Sequence, residues 1–517
     1  MKAGAVIRRI RDNTSQNTNL RGSYTFNTFN ALLAGQPASF QAVQVGEDAY
    51  RGLRQTMAAV YGQDDINLTS RVTLNIGLRW DAVTDPTEAN GKMSNLLHPL
   101  DPQLTVLGRF FDIGKKTFEP RAGFAWRLNE RGTTVLRAGG GVFHNHTLPV
   151  VYALQVNKLP PFYNLFIANN PTFPDGYTAL IAGGLARLII INPTVKELAK
   201  DQYNVSIEQQ MFKDMVIEVA YVGSKANHVY RFRESNTPVP VTLPDGQKFF
   251  PVGAPRANPV FDSIRVMTSD TNAIFNGLTI TVKKKSSTGL QYQAFYTYSK
   301  AMDAISGVAT GDQSRDAATS LDPTNWKRDW GPSVFDARHN FVFNFTYPLP
   351  FRFSSRMVTA ALGGWNLKSI GTFTAGQPFT PHLATNNSRN GDILAPDRPN
   401  LKPGANDNPV LGGPDRYYDP SVFALPLPGT YGNLGRNTII GPGVANLDLS
   451  IEKNFKVRES KELQFRAELF NVMNHPNFDL PNTSALTAAG APNSSAGRVT
   501  RTVTTSRQIQ FGLKLNF

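Results

Sequence analysis

Two histidines stand two positions apart, His144 and His146. On an extended chain such positions share a face, so two imidazoles could converge on one metal ion. The chain has no cysteine, and no carboxylate stands beside the pair in sequence, which leaves a polar strand end as the alternative. His339 (in DARHN) and His475 (in NHPN) fall where strand ends and turns are expected, and capping suffices to explain them. The run NGDILAPDRPN at 390–400 offers the oxygen ligands that calcium or a sugar takes. The same residue types also build solvated turns. Trp326, Trp330, Tyr417 and Tyr418 could stack on a carbohydrate ring or pack among loops. The triplet Gly139–Gly141 lies inside a strand-like run, where it suits a bend or close packing and not a nucleotide site. No phosphate loop, HExxH, GxSxG or EF-hand spacing occurs. The sequence therefore assigns no catalytic, cofactor-binding or metal-ligating residue, and the chain reads as a non-enzyme.

The elements that must position these residues are clearest at the C-terminus. In RQIQFGLKLNF, Ile509, Phe511, Leu513, Leu515 and Phe517 alternate with polar residues or glycine. Period two means a strand with one oily face and one polar face. An amphipathic strand closing on a terminal Phe resembles the C-terminal signal of bacterial outer-membrane β-barrels, read by the barrel-assembly machinery. The same unit recurs through the chain. Residues 71–81 place Val72, Leu74, Ile76, Leu78 and Trp80 on one face, and Phe341, Phe343, Phe345 and Tyr347 alternate likewise. Strands are predicted at 55–65, 71–81, 118–128, 133–144, 202–211, 215–224, 273–285, 290–300, 337–347, 357–373, 443–455, 462–473 and 507–517, with another at 21–30. Residues 1–19 are ambiguous, with a short strand possible at 3–10. Connections alternate strictly: a short turn, then a long loop. This predicts an all-β, antiparallel transmembrane β-barrel with short periplasmic turns and long extracellular loops. Polar rows such as Asn204/Ser206/Glu208 and Asn446/Asp448/Ser450/Glu452 should face a wet lumen, because a charge facing lipid near the midplane costs up to ~2–4 kcal/mol.

Composition agrees. The chain has 517 residues, 41% hydrophobic and 18% charged, with a mean hydropathy of −0.28, which excludes a helical membrane protein. The longest apolar candidate, Ala179 to Ile191, contains Arg187, is too short to span, and reads as a packed loop element. The 33 Phe, 16 Tyr and 5 Trp fit the aromatic girdles of such barrels. The net charge of +14 is dispersed, with Lys283–Lys285 at a strand end, so nucleic acid is not an expected partner. The start, MKAGAVIRRIRDN, has no signal-peptide h-region or cleavage site.

Six stretches, VYGQDDINLTSRVTLNIGLRWD, EPRAGFAWRLNERGTTVLRAGGGVFHN, YNVSIEQQMFKDMVIEVAYVGSKANHVY, FNGLTITVKKKSSTGLQYQAFYTYSKAMD, FDARHNFVFNFTYPLPF and LFNVMNHPNF, resemble in order and spacing the barrel of Oar-like TonB-dependent receptors. The resemblance implies a barrel of about 22 strands, an N-terminal plug and a TonB box. Against it, residues 1–517 read as a single partial barrel domain of about 14–15 strands, the C-terminal part of a receptor without its plug or signal peptide. It implies residence in the bacterial outer membrane and passage of a large solute (glycan, siderophore or peptide). Expected partners are outer-membrane lipid, the barrel-assembly machinery through the C-terminal strand, and TonB only if a plug and TonB box lie upstream. No cofactor is expected. The other readings are a passive porin-like or surface-structural barrel, and a soluble β-rich binding protein.

Overall fold

Alternating apolar and polar residues can bury neither face alone, so strands of this kind pair edge to edge with their chain neighbours. A computed structural model describes residues 1–15, 19, 21–43, 48–111, 117–178, 185–286, 289–307, 319–351, 353–392, 394–458 and 461–517. Fourteen long strands carry the architecture. They are β1 Lys2–Ser15, β2 Tyr50–Asn67, β3 Val72–Val83, β4 Thr117–Arg127, β5 Thr134–Asn145, β6 Leu198–Phe212 and β7 Met215–Glu234. Then follow β8 Phe261–Lys284, β9 Gln291–Asp303, β10 His339–Pro348, β11 Trp365–Thr374, β12 Val444–Arg458, β13 Lys461–Phe470 and β14 Gln508–Asn516. Each pairs antiparallel with the next, from β1–β2 through β13–β14. Among the described residues no ladder joins β1 to β14.

The register lines up the two faces. One row runs Leu74, Phe124, Ala138, Val205, Tyr221, Leu278, Tyr298 across six ladders. Its polar counterpart runs Ser206, Ala220, Thr279, Thr297, Asn340, Thr374. The Thr279 and Thr297 hydroxyls lie 2.9 Å apart, and Thr374 donates to Asn340 Oδ1 at 2.8 Å. Gly223 lies under the Tyr203 ring and Gly371 under the Phe343 ring, each its cross-strand partner. A Cβ at either glycine would strike the ring, so the bare backbone lets an aromatic lie flat along the wall.

Connections at one end are short: 68–71, 128–133, 213–214, 285–290 and 459–460, with 349–364 the longest. Those at the other end span 16–49, 84–116, 146–197, 235–260, 304–338, 375–443 and 471–507. β7 and β8, with 20 and 24 residues, outrun the membrane; about 9–11 suffice to cross it. Their extra length projects from the long-loop end. His228, at φ +59°, marks a bulge where β7 leaves the regular ladder. Beyond it, Leu185–Ile191 pairs in parallel with Phe261–Met267. Leu188, Ile190 and Ile191 are buried there, as expected of a packed loop element; 179–184 fall outside the described residues.

Three expectations change. The ambiguous start is a full strand, β1. The strand expected at 21–30 is instead a loop piece: among the described residues Ser23–Thr25 pairs with Ser39–Val43 alone, and helix α1 follows at Phe29–Leu33. Thr28 caps α1, accepting from Ala31 N at 3.1 Å. The strand expected at 357–373 begins at Trp365, behind a short helix over Arg356–Leu362. Met, Ala and Leu favour a helix there, while alternation resumes only after Gly363–Gly364.

Candidate functional site: the apolar wall and the loop roof

Alternation on β14 puts Ile509, Phe511, Leu513 and Leu515 on the outward row, opposite Leu469, Ala467, Phe465 and Leu463 of β13. Together with Phe517 just beyond the strand, all five are more than half exposed. Phe511 stacks on Phe465 at 6.3 Å between centroids. The same surface carries Trp126, Ile207, Leu278, Tyr298, Phe341 and Ile451, all exposed. A continuous wall of exposed large apolar groups is not a water-facing surface.

Over the first half of the wall the long loops fold into a roof. Its core gathers Leu53, Phe110, Phe111, Tyr152, Tyr230 and Met267, with Tyr152 supplied by helix α2 (Pro149–Val156). The HxH pair sits at its edge, split between different partners. His146, one residue beyond β5, sets Nε2 2.9 Å from Asp81 Oδ2 and Nδ1 3.1 Å from Glu197 Oε1. Arg79 Nε holds the other Asp81 oxygen at 2.8 Å. Burial works against charge on this imidazole, but the two carboxylates outweigh it and raise its pKa to about 9. The protonated ring donates from both nitrogens and ties β3 to the loop entering β6. His144 turns to Glu119 instead: its backbone N donates to Oε1 at 2.7 Å, and Arg121 reaches the other oxygen at 2.8 Å. The sequence showed no carboxylate near the pair because its partners lie 25, 51 and 65 residues away. Among the described residues no group of three or more His, Asp or Glu is arranged to hold a metal ion.

Over the second half, loops 375–443 and 471–507 build another core around Phe379, Leu383, Tyr418, Phe423, Ile439 and Leu486. Tyr417 and Tyr418 are buried in it and donate to the carbonyls of Ile440 and Asn482, each at 3.1 Å. They are not available to stack on a sugar. Trp326 and Trp330 remain half-exposed and meet edge to face at 6.1 Å. The 390–400 run is turn chemistry. Asn390 Oδ1 accepts from Asp392 N at 2.9 Å, Asp392 Oδ1 from Leu394 N at 2.8 Å, and Asp397 Oδ2 from Ser388 N at 2.6 Å. His339 Nδ1 lies 2.8 Å from the Tyr296 hydroxyl, and His475 N donates to Asn471 Oδ1 at 3.1 Å; both histidines serve strand ends and turns.

Between the two halves lies an open polar pocket of about 320 Å³, lined in part by Asp245, Lys248, Asp322, Thr324, Arg328 and Tyr431. Lys248 Nζ reaches Asp322 Oδ1 at 2.7 Å. Burial raises the Asp322 carboxyl, but Lys248 and the Thr324 N–H more than offset it and hold the pKa below the usual carboxylate value. Arg328 lies over the Tyr431 ring at 5.6 Å and donates to Gly432 O at 2.8 Å. Behind the pocket, buried Arg436 pairs with Asp303 at 2.8 Å and buried Arg398 pairs with Asp329. This arrangement offers charged and hydroxyl contacts to a polar solute. Sequence reading missed Lys248 and Asp322, since single charges in loops carry no spacing signal.

The sequence model described as "Outer membrane beta barrel domain" matches residues 1–510. The chain belongs to the outer membrane β-barrel domain family. No curated protein sequence matches it. Among solved structures, it is similar to the siderophore receptor PirA from Acinetobacter baumannii: 11% identity, TM-score 0.46, covering 99% of this chain and 55% of that one. The ferripyoverdine receptor of Pseudomonas aeruginosa matches at 12% identity and TM-score 0.45, covering 99% and 45%. The transporter YddB from Escherichia coli matches at 9% identity and TM-score 0.42, covering 99% and 54%. The chain thus spans about half the length of each of these structures. For an outer-membrane barrel the two faces have fixed meanings: the apolar wall meets lipid, and the polar rows face inward. The protein resides in the bacterial outer membrane; the orientation general to such barrels puts the short turns in the periplasm and the roof outside the cell.

Proposed function

We propose that this barrel is the membrane portion of an Oar-like TonB-dependent receptor. In this reading the roof captures a large polar solute, such as a glycan, siderophore or peptide, and the lumen passes it inward. The observation that carries the reading is the charged, open pocket set between two tightly packed loop cores. A plain pore needs no such roof. The order of the six Oar-like stretches supports the subtype. Energised passage would engage TonB only if a plug and TonB box lie upstream, and the C-terminal row Ile509–Phe517 would be its handle for the assembly machinery.

Conductance across planar bilayers tests this directly. Expressed together with its plug, the receptor stays silent, whereas a steady open conductance of that polypeptide would favour the passive porin-like reading. For capture, a panel of oligosaccharides, ferric siderophores and peptides is screened against the reconstituted full chain. The Lys248→Ala/Asp322→Ala double variant should bind the best ligand at least ~10-fold more weakly, about 1.4 kcal/mol. Unchanged affinity would remove the pocket from the proposal.

A further inference from the structure

The connection between β10 and β11, residues 349–364, carries helix α3, Arg356–Leu362. Lys453 shows where it lies. In register, Lys453 sits on the outward row of β12 between Trp365 and Phe465. Its row neighbours Ile451 and Phe455 are 38% and 36% exposed, yet Lys453 is only 4% exposed. What covers it is the C-terminal end of α3: Nζ donates to the carbonyls of Ala360 and Ala361, the latter at 3.0 Å. Trp365 Nε1 donates to the same Ala361 carbonyl at 3.2 Å. The ammonium also lies 5.5 Å from the Trp365 ring centre and 4.9 Å from that of Phe455. A cation thus neutralises the negative end of the helix and bolts it to the outside of the wall.

The bolted segment displays apolar groups. Met357 is 83% exposed, and Phe351, Phe353, Val358 and Leu362 are exposed as well. Thr359 Oγ1 closes the segment on itself, donating to Phe353 O at 2.9 Å. This patch is continuous with the lipid-facing wall and lies at its periplasmic rim. We propose that α3 is an interfacial anchor, immersed in the acyl–glycerol boundary of the periplasmic leaflet and held there by Lys453. Seven residues cannot cross a membrane but can lie in its surface. Lys453, a charge on a lipid-facing row, is tolerated because the helix carbonyls and rings replace its water.

The absence of native cysteine makes the test direct. The full chain carries a single Met357→Cys, Leu513→Cys (lipid wall) or Asp245→Cys (outer loop) substitution, labelled with an environment-sensitive fluorophore in phosphatidylcholine vesicles. Nitroxide lipids should quench the label at 357 within about two-fold of the label at 513, and iodide should quench it at least ~3-fold less than at 245. Iodide quenching equal to position 245 would overturn the proposal. So would protection from iodide that appears only when periplasmic protein is added. With Lys453→Gln added, lipid quenching should fall at 357 and persist at 513, which reports an intact barrel. Unchanged quenching at 357 would overturn the role given to Lys453.

Discussion

At the scale of single residues, His146 is the group whose protonation the roof depends on. Its pKa is about 9, against about 6.5 for an unpaired imidazole. A raised pKa means the folded state holds the proton more tightly. The stabilisation is therefore complete below about pH 6.5 and is lost as pH rises through about 9, amounting to ~2–3 kcal/mol after allowance for solvent screening. Limited proteolysis of loop 146–197 against pH checks this. Wild type should become markedly more cleavable between pH 7 and 10, whereas His146→Gln should be cleavable throughout with a flat profile. A wild type equally resistant at pH 7 and 10 would refute the role. The histidine spacing was legible in the sequence, but its meaning was not. Alternation says which face a side chain takes, but not that Asp81 and Glu197 reach the same ring. That depends on loops folding back, which local pattern does not encode. Tyr417 and Tyr418 show the same limit: an aromatic pair in a loop looks alike whether it is buried or displayed.

At the scale of elements, period-two alternation located thirteen of the fourteen strands, because lipid on one side and water on the other enforce it, but it stopped β7 ten residues short and started β8 twelve residues late and β11 eight residues early. It failed where that enforcement lapses. β1 reads poorly because Arg8, Arg9 and Arg11 interrupt its pattern, and only pairing with β2 reveals it. Residues 357–362 belong to a helix, not a strand, because they lie outside the sheet. The wall itself predicts a position-specific cost. Leu513→Lys, on the outward row of β14, should lower unfolding free energy in vesicles by ~2–4 kcal/mol if near the midplane, and Lys514→Gln, on the inward row, by less than ~1. Urea titration of the reconstituted protein checks both; equal effects would contradict the assignment of faces. Deleting Phe517 should reduce the assembled protein in the outer membrane while leaving in vitro refolding intact, if the terminal row is the assembly handle.

At the scale of the whole molecule, sidedness is the testable property. Arg416 and Arg501 lie in outer loops with exposed side chains, and Arg131 and Lys213 lie exposed in periplasmic turns. Trypsin added to intact cells should cut after Arg416 or Arg501 and spare Arg131 and Lys213, which become accessible only once the outer membrane is permeabilised. Mass spectrometry of the fragments reads the result, and the reverse pattern would invert the orientation.

The strictly sequential pairing also governs how such a chain can grow. Among the described residues no long strand pairs with any of the fourteen but its chain neighbours, so in the ladder alone each turn-linked pair, such as β6 and β7 or β12 and β13, is a module, tied to others only through side-chain and loop contacts such as His146–Glu197 and Lys453–Ala361. Inserting or deleting one module changes the circumference, yet leaves every other ladder, its register and its sidedness untouched. Lumen width can therefore change in steps of two strands, by gene duplication or by design, without rethreading the sheet.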